Sequence, residues 1–306
     1  MENEYIYWIA ISHLPRWTQE RINNLVIDIL KNKQMTLQDF FELDDKIIVE
    51  TFDLNEKEIN DIKEVRKKLP NIAFQVEKLL NKDIKIIPLN SGLYPKIMKE
   101  NLKVKYSPTI IYVKGDVKIL QENSIAIVGS RDAKEEALKF TDNISKKMAQ
   151  EYKVIVSGFA RGVDRQALDS SIKYNGSSII VLPQGILTFD SGFKKYQKEI
   201  DNAKVIVLST FPPAAGWSTG LAMARNRYIY GLAKEIYVAQ TNSSGGTWNG
   251  AIDGLKKKRN VYVYYPEHNE ESASFELLKQ GAKAVNFNGQ FIDVQLPYKE
   301  TQLKMF

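Results

Sequence analysis

The sequence predicts an α/β protein, a doubly wound and mostly parallel sheet preceded by a small helical domain. Three observations carry this. From about residue 120, short β-branched runs alternate with segments of helix length, the pattern of βαβ units whose strands are covered on both faces. Before about residue 82, apolar residues instead recur at helix spacing. Three polar, glycine-bearing segments directly follow three of the predicted strands, where a parallel sheet places its ligand loops. A chain of 306 residues that is 43% hydrophobic has enough apolar material for both parts.

The elements follow in chain order. After Trp17, apolar Ile22, Leu25, Val26, Ile29 and Leu30 fall on one helical face. Asn55 with Glu58 forms a capping-box pattern that opens a helix through Ile59, Ile62, Val65 and Leu69. An extended stretch over 84–88 follows. A turn-rich segment with Tyr94-Pro95 and Ser107-Pro108 then leads into the apolar run 110–116. The division expected is 1–82 for the helical domain and 83–306 for the sheet domain with a short C-terminal tail. Strands are predicted at 125–128, 154–156, 178–182, 205–208, 236–239 and 261–264, joined by right-handed crossovers that put helices on both faces. In the last of them, Val261 and Val263 should face one way and Tyr262, Tyr264 the other. That strand is either covered by helices on both faces or lies at the sheet edge, where a second copy of the chain would pair with it. The tail after Asn286 reads as a strand pair or a mobile end.

Composition removes several function classes. Without cysteine there is no disulfide, no thiolate nucleophile and no cysteine-ligated metal. The two histidines, His13 and His268, are far apart in sequence, so neither a histidine metal cluster nor a Ser-His-Asp triad is expected. No apolar run approaches the roughly 20 residues that span a bilayer, and no signal-type h-region opens the chain. A cytoplasmic protein with no cofactor and no membrane partner is expected. The excess of 43 Lys+Arg over 37 Asp+Glu, net +6, suits a polyanionic partner. The run Lys256-Lys257-Lys258-Arg259 reads either as a phosphate track or as the cationic end of a helix.

The chemistry is expected at three loops: Gly129-Ser130-Arg131, the segment from Ser157 and Gly158 through Arg161, Gly162 and Asp164, and Thr241-Asn242-Ser243 through Ser244, Gly245, Gly246 and Thr247. All three emerge at the carboxyl edge of a parallel sheet and feed helices whose free N–H groups favour an anion. Glycines allow close backbone approach, and hydroxyls and guanidinium groups supply donors. A phosphate-bearing ligand follows. Arg131, beside a tight Gly-Ser turn, is the leading anion contact. Arg225 and Arg227 sit in an otherwise apolar helical segment and are expected to face the same edge. Asp164 is either an N-cap or a site residue. Phe211 is expected to pack, and Trp217 is either a packed ring or a platform for a base.

These residues in this order resemble the DNA-processing protein A (DprA, Smf) family. The likeness runs from Tyr94-Pro95 and Val113-Lys114-Gly115-Asp116 through Ile125 to Arg131, Ser157-Gly158-x-Ala160-Arg161-Gly162-Val163-Asp164, Arg225-Asn226-Arg227, Ser244-Gly245-Gly246 and Gly281-Ala282. It covers about 85–285, and the helical start is similar to the family's N-terminal domain. The resemblance implies a Rossmann-like protein that binds single-stranded DNA without catalysis, forms a homodimer and passes the strand to a RecA-type recombinase in natural transformation. By position it carries phosphate binding to Ser130, Arg131, Ser157, Gly158 and Arg161, and less directly to Arg225 and Arg227. Three positions depart from the family pattern: Leu168 stands for the usual His, Thr210 for a Glu, and Gln240 for a Glu. The stretch after Gly281 leaves no room for the winged helix of many members. Two other readings use the same loops. One is a module that senses a nucleotide signal. The other is a nucleoside-monophosphate phosphoribohydrolase, which Gly245-Gly246-Thr247 only half resembles, with Asp253 the sole nearby carboxylate. A nicotinamide dehydrogenase is disfavoured because no Gly-x-Gly-x-x-Gly follows the first strand of the βαβ region.

Overall fold

The computed structural model describes residues 2–266 and 273–294. His268 and the last part of the tail lie outside them. Six helices come first: α1 (Glu2–Ser12), α2 (Gln19–Ile27), α3 (Leu37–Glu42), α4 (Asp45–Thr51), α5 (Glu56–Arg66) and α6 (Leu69–Asn81). The capping box forms as the sequence predicts, with Asn55 Oδ1 accepting from the Glu58 N–H and Glu58 returning to the Asn55 N–H, both at 3.0 Å. A π-helical turn at Asp28–Asn32 ends α2 and carries Ile29 into the core.

Then come β1 (Ile84–Pro88), α7 (Lys96–Tyr106), β2 (Ile110–Lys114), β3 (Ser124–Gly129), α8 (Glu135–Gln150), β4 (Val154–Ser157), α9 (Val163–Lys173) and β5 (Ser178–Val181). They are followed by α10 (Asp190–Asp201), β6 (Val205–Ser209), α11 (Thr219–Gly231), β7 (Glu235–Gln240), α12 (Gly246–Lys256), β8 (Asn260–Tyr264), α13 (Ala273–Lys279) and β9 (Lys283–Val285). The strands form one sheet in the order β1-β2-β6-β5-β4-β3-β7-β8-β9. Only the β1–β2 and β2–β6 pairs are antiparallel. From β3 the chain winds outward through β4, β5 and β6, then returns to lay β7 against the other side of β3. The winding reverses between β3 and β7, so a crevice opens at their carboxyl ends.

Strand alternation divides the core between the two faces. Ala126, Val128, Val156 and Val181 pack beneath α7, α11 and α12, while Ile125, Ile127 and Ile155 pack beneath α8 and α9. On this second face the helical N-terminal segment shares one core with the sheet: Trp8, Ile11, Leu25 and Phe40 are buried in the same cluster as Tyr112, Ile180 and Val207. A buried polar network ties the segment down. Asn23 donates to the Val104 and Ser107 carbonyls at 2.7 and 2.8 Å and accepts from Thr109 Oγ1 at 2.7 Å.

The edge placement considered for 261–264 is corrected. β9 pairs in parallel with β8, so β8 is interior, and Phe291 bridges back to Val285 as part of the tail. The faces divide as expected, with Val261 and Val263 in one cluster and Tyr264 in the other, where its ring stacks on Phe140 at 4.6 Å. With β7 paired along one edge and β9 along the other, β8 has no unpaired row for a second chain.

His13 is hydrogen-bonded to the Tyr112 hydroxyl at 2.9 Å, joining the helical segment to β2. Burial disfavours the imidazolium and lowers the ring's pKa to about 4. The unfolded ring titrates near 6.5, so between about pH 6.5 and 4 the unfolded chain binds more protons and acid weakens the fold. Because the ring is only part-buried, a loss of about 1–2 kcal/mol is expected between pH 7 and pH 5. Urea unfolding at both pH values checks this against His13→Asn, and equal pH slopes in the two proteins would refute it.

Candidate functional site

The three loops meet in the crevice around a cavity of about 350 Å³. Gly129, Ser130 and Arg131 form one wall, and Thr241, Asn242, Ser244, Gly246 and Thr247 face them from the end of β7 and the start of α12. Ala160 and Asp164 close it from the α9 side, and Ala222, Arg225 and Asn226 from α11.

Backbone hydrogen bonds fix the Gly129–Arg131 loop. The Ser130 N–H donates to the Gln240 carbonyl at 2.9 Å, and the Ser130 carbonyl accepts from the Val163 N–H at 3.2 Å. Gln240 makes a second tie, its Oε1 accepting from the Lys134 N–H at 2.8 Å. Gly162, with φ of +77°, is the N-cap of α9, and a Cβ there would lie 2.4 Å from the Ser130 carbonyl oxygen. The loop and the start of α9 are therefore built as one unit. Opposite, Gly245 caps α12, whose first N–H groups and positive dipole end open on the cavity.

A buried ion pair lies under this cradle. Arg225 is only 4% exposed, its Nη1 3.7 Å from Asp164 Oδ2 and 3.2 Å from the Val181 carbonyl that accepts from it. Its buried Nε has no hydrogen-bond partner among the described residues. Burial pushes the Asp164 carboxyl above its ordinary pKa, and the Arg225 charge pulls it back. Gly158 makes room for the pair: a Cβ there would lie 1.5 Å from Arg225 Nη1 and 2.3 Å from Asp164 Oδ2.

Several expected roles change. Asp164 is not an N-cap but sits inside the first turn of α9, and Gly158 houses Arg225 rather than facing the cavity. Arg225 reaches the cavity from beneath, whereas Arg227 turns away with its guanidinium 4.4 Å over the Tyr106 ring. A helix presents i and i+2 on different sides, so both cations cannot face one edge. The Ser157 hydroxyl is spent on the Ile127 carbonyl at 2.8 Å, and the Thr247 hydroxyl on the Gly129 carbonyl at 3.2 Å. Arg161 is exposed and paired with Asp132 at 2.6 Å. Arg131 is exposed at the cavity, and its guanidinium makes no hydrogen bond or ion pair among the described residues. In the basic run, Lys257 pairs with Asp253 and Arg259 donates to the Tyr230 and Ala233 carbonyls, as a helix end would. Phe211 is packed as expected, and Trp217 is 57% exposed. Asn242 lines the cavity within the third expected loop, whereas Asn226 and Gln240 were not singled out as site residues and reach the site through tertiary packing.

The described residues contain no group of three metal-ligating side chains and no helix long and apolar enough to cross a membrane. The family model for DNA recombination-mediator protein A matches residues 85–294, from β1 through every site loop to the tail. The chain belongs to that family. This makes it a DNA-processing protein, with the fold that the resemblance implied. It is 27% identical over 249 residues to the DNA processing protein DprA of Bacillus subtilis, covering 79% of this chain and 80% of that one. It is 28% identical over 220 residues to that of Streptococcus pneumoniae, covering 69% and 76%. The X-ray structure of the S. pneumoniae protein superposes with a TM-score of 0.72 at 22% identity, over 92% of this chain and 94% of that one. A Helicobacter pylori structure that describes a single-stranded DNA binding mode superposes at 0.54, with 24% identity over 66% and 90%. Of the three departures from the family pattern, Leu168 is core and Gln240 ties the Ser130 loop to β7. Thr210 is buried at the end of β6.

Proposed function

We propose that this protein binds single-stranded DNA without chemical turnover, holding the strand's phosphates in the carboxyl-edge crevice. The observation that carries this is Arg131, a guanidinium left uncommitted at the mouth of a cavity where the α12 N-terminus also points. A family structure describing single-stranded DNA binding supports the choice of ligand. Against hydrolysis, the nearby carboxylates are engaged: Asp164 with Arg225, Asp132 with Arg161 and Asp253 with Lys257. A homodimer acting with a RecA-type recombinase extends the reading on the strength of the family alone.

A titration of oligo-dT, duplex DNA and mononucleotides at two salt concentrations tests it. Oligo-dT is expected to bind tightest, with affinity falling steeply with salt as several phosphates are neutralised. Equal affinity for duplex would overturn the preference. Preferential mononucleotide binding would favour the sensing module, and release of base from a nucleoside monophosphate would favour an enzyme.

A further inference from the structure

Two ion pairs border the phosphate cradle, and they differ in burial. Asp164 and Arg225 lie beneath it, out of water. Asp132 and Arg161 meet at its rim at 2.6 Å, with side chains 78% and 74% exposed. Asp132 lines the cradle, Arg161 lines an adjoining cavity of about 340 Å³, and Arg131 lines both. A strand that leaves the cradle for the adjoining cavity passes over the rim pair. The fold gains little from that pair. Its two loops are already joined by the Val163 N–H, which donates to the Ser130 carbonyl, and by Gly162, which leaves no room for a side chain against residues 130 and 131. The Asp132 N–H donates to Ser130 Oγ at 3.1 Å, which holds residue 132 beside the cradle whatever its carboxylate touches. Neither side chain has a second ion-pair partner among the described residues.

We propose that Asp132 is an internal stand-in for phosphate: its carboxylate occupies Arg161 in the free protein and yields it to the phosphate next to the one held in the cradle. This rests on the single-strand reading above. Carboxylate and phosphate oxygens are interchangeable acceptors for a guanidinium, and an exposed ion pair is weak enough to give way. The exchange puts one anion in place of another on Arg161 and returns Asp132 to water, so no charge is left buried and unpaired. Arg225 has no such freedom, because parting it from Asp164 would strand both charges in the core of the crevice. Asp132 therefore lowers strand affinity, since the attraction of Arg161 for phosphate is offset by release of the carboxylate. A ligand with a single phosphate fills the cradle without reaching Arg161, so it neither breaks the pair nor senses it. Asp132 thus sets how much a second phosphate adds to the first.

The test titrates oligo-dT and thymidine monophosphate against the wild-type protein, Asp132→Asn, Arg161→Ala and the double variant. Both positions are exposed and asparagine keeps the backbone turn, so all four should melt alike, as thermal unfolding will show. Asp132→Asn is expected to bind oligo-dT more tightly than the wild type. That gain should be about 1.5- to 5-fold larger with Arg161 present than in the Arg161→Ala background, the worth of an exposed pair. Only an interaction broken on binding couples the two substitutions in this way. Thymidine monophosphate should show no such coupling. Unchanged oligo-dT affinity in Asp132→Asn, or a gain of equal size in both backgrounds, would overturn the exchange while leaving strand binding intact; an equal gain is what plain repulsion between the carboxylate and the strand gives. Equal coupling for thymidine monophosphate would overturn the assignment of Arg161 to a neighbouring phosphate. Wild-type protein that fails to bind oligo-dT would instead overturn the single-strand reading itself.

Discussion

Asp164→Ala is expected to lower folding stability by about 3–5 kcal/mol, the cost of leaving one member of a buried ion pair alone. The carboxylate is the only acidic group within ion-pair distance of Arg225 among the described residues, and Arg225 has little water around it. Without Asp164, the guanidinium keeps the Val181 carbonyl as its hydrogen-bond acceptor and must otherwise draw water into the core of the crevice. The double variant Asp164→Ala/Arg225→Met removes both charges and keeps most of the side-chain volume. It is therefore expected to be more stable than Asp164→Ala alone, a sign that a double-mutant cycle reads directly. Denaturant unfolding measures all four proteins. A loss below about 1 kcal/mol in Asp164→Ala, within the range of ordinary surface changes, would mean the pair is not a buried structural element.

Arg131→Ala is expected to weaken oligo-dT binding by about 10- to 150-fold, the worth of one charge-assisted phosphate contact of about 1.5–3 kcal/mol. Its effect on melting temperature should be small, because the exposed side chain touches no carboxylate and fills no core. The salt dependence should also become shallower by roughly one counterion. Arg227→Ala is the internal control: a guanidinium lying on Tyr106, away from the cavity, should change affinity little. Anisotropy titration and thermal unfolding of both variants settle it. A falling melting temperature with unchanged DNA affinity in Arg131→Ala would make that residue structural.

Side chains whose partners are near in sequence were readable. The capping box at Asn55 and Glu58 closes over three residues, and the apolar spacing from Ile22 to Ile29 runs along α2 into the π-helical turn that ends it. The three site loops were readable for a related reason, since a polar glycine segment after a β-branched run can only leave a parallel strand at its carboxyl end. Roles that depend on distant partners were not. Gly158 looks like a phosphate-loop glycine until Arg225, far along the chain, is seen to occupy the space above it. Gln240 looks like a lost acid until its two ties to residues 130 and 134 are placed. Asn23 gives no sequence sign of closing a network on Val104, Ser107 and Thr109.

The sequence by itself determined the α/β class, the alternation of the β8 valines and tyrosines, and the gathering of three phosphate-type loops at one edge. Each of these follows from local periodicity and from the fixed polarity of parallel strands. Tertiary structure alone decided three further matters: that β9 covers β8, that the N-terminal helices share the core of the sheet, and which cations are paired, buried or left exposed at the cavity. The last shows the reason most clearly. Arg131, Arg161, Arg225 and Arg227 carry the same charge in similar polar contexts. Folding pairs Arg161 with Asp132, buries Arg225 against Asp164 and lays Arg227 on Tyr106, so that of the four Arg131 has neither an ion pair nor a ring contact among the described residues.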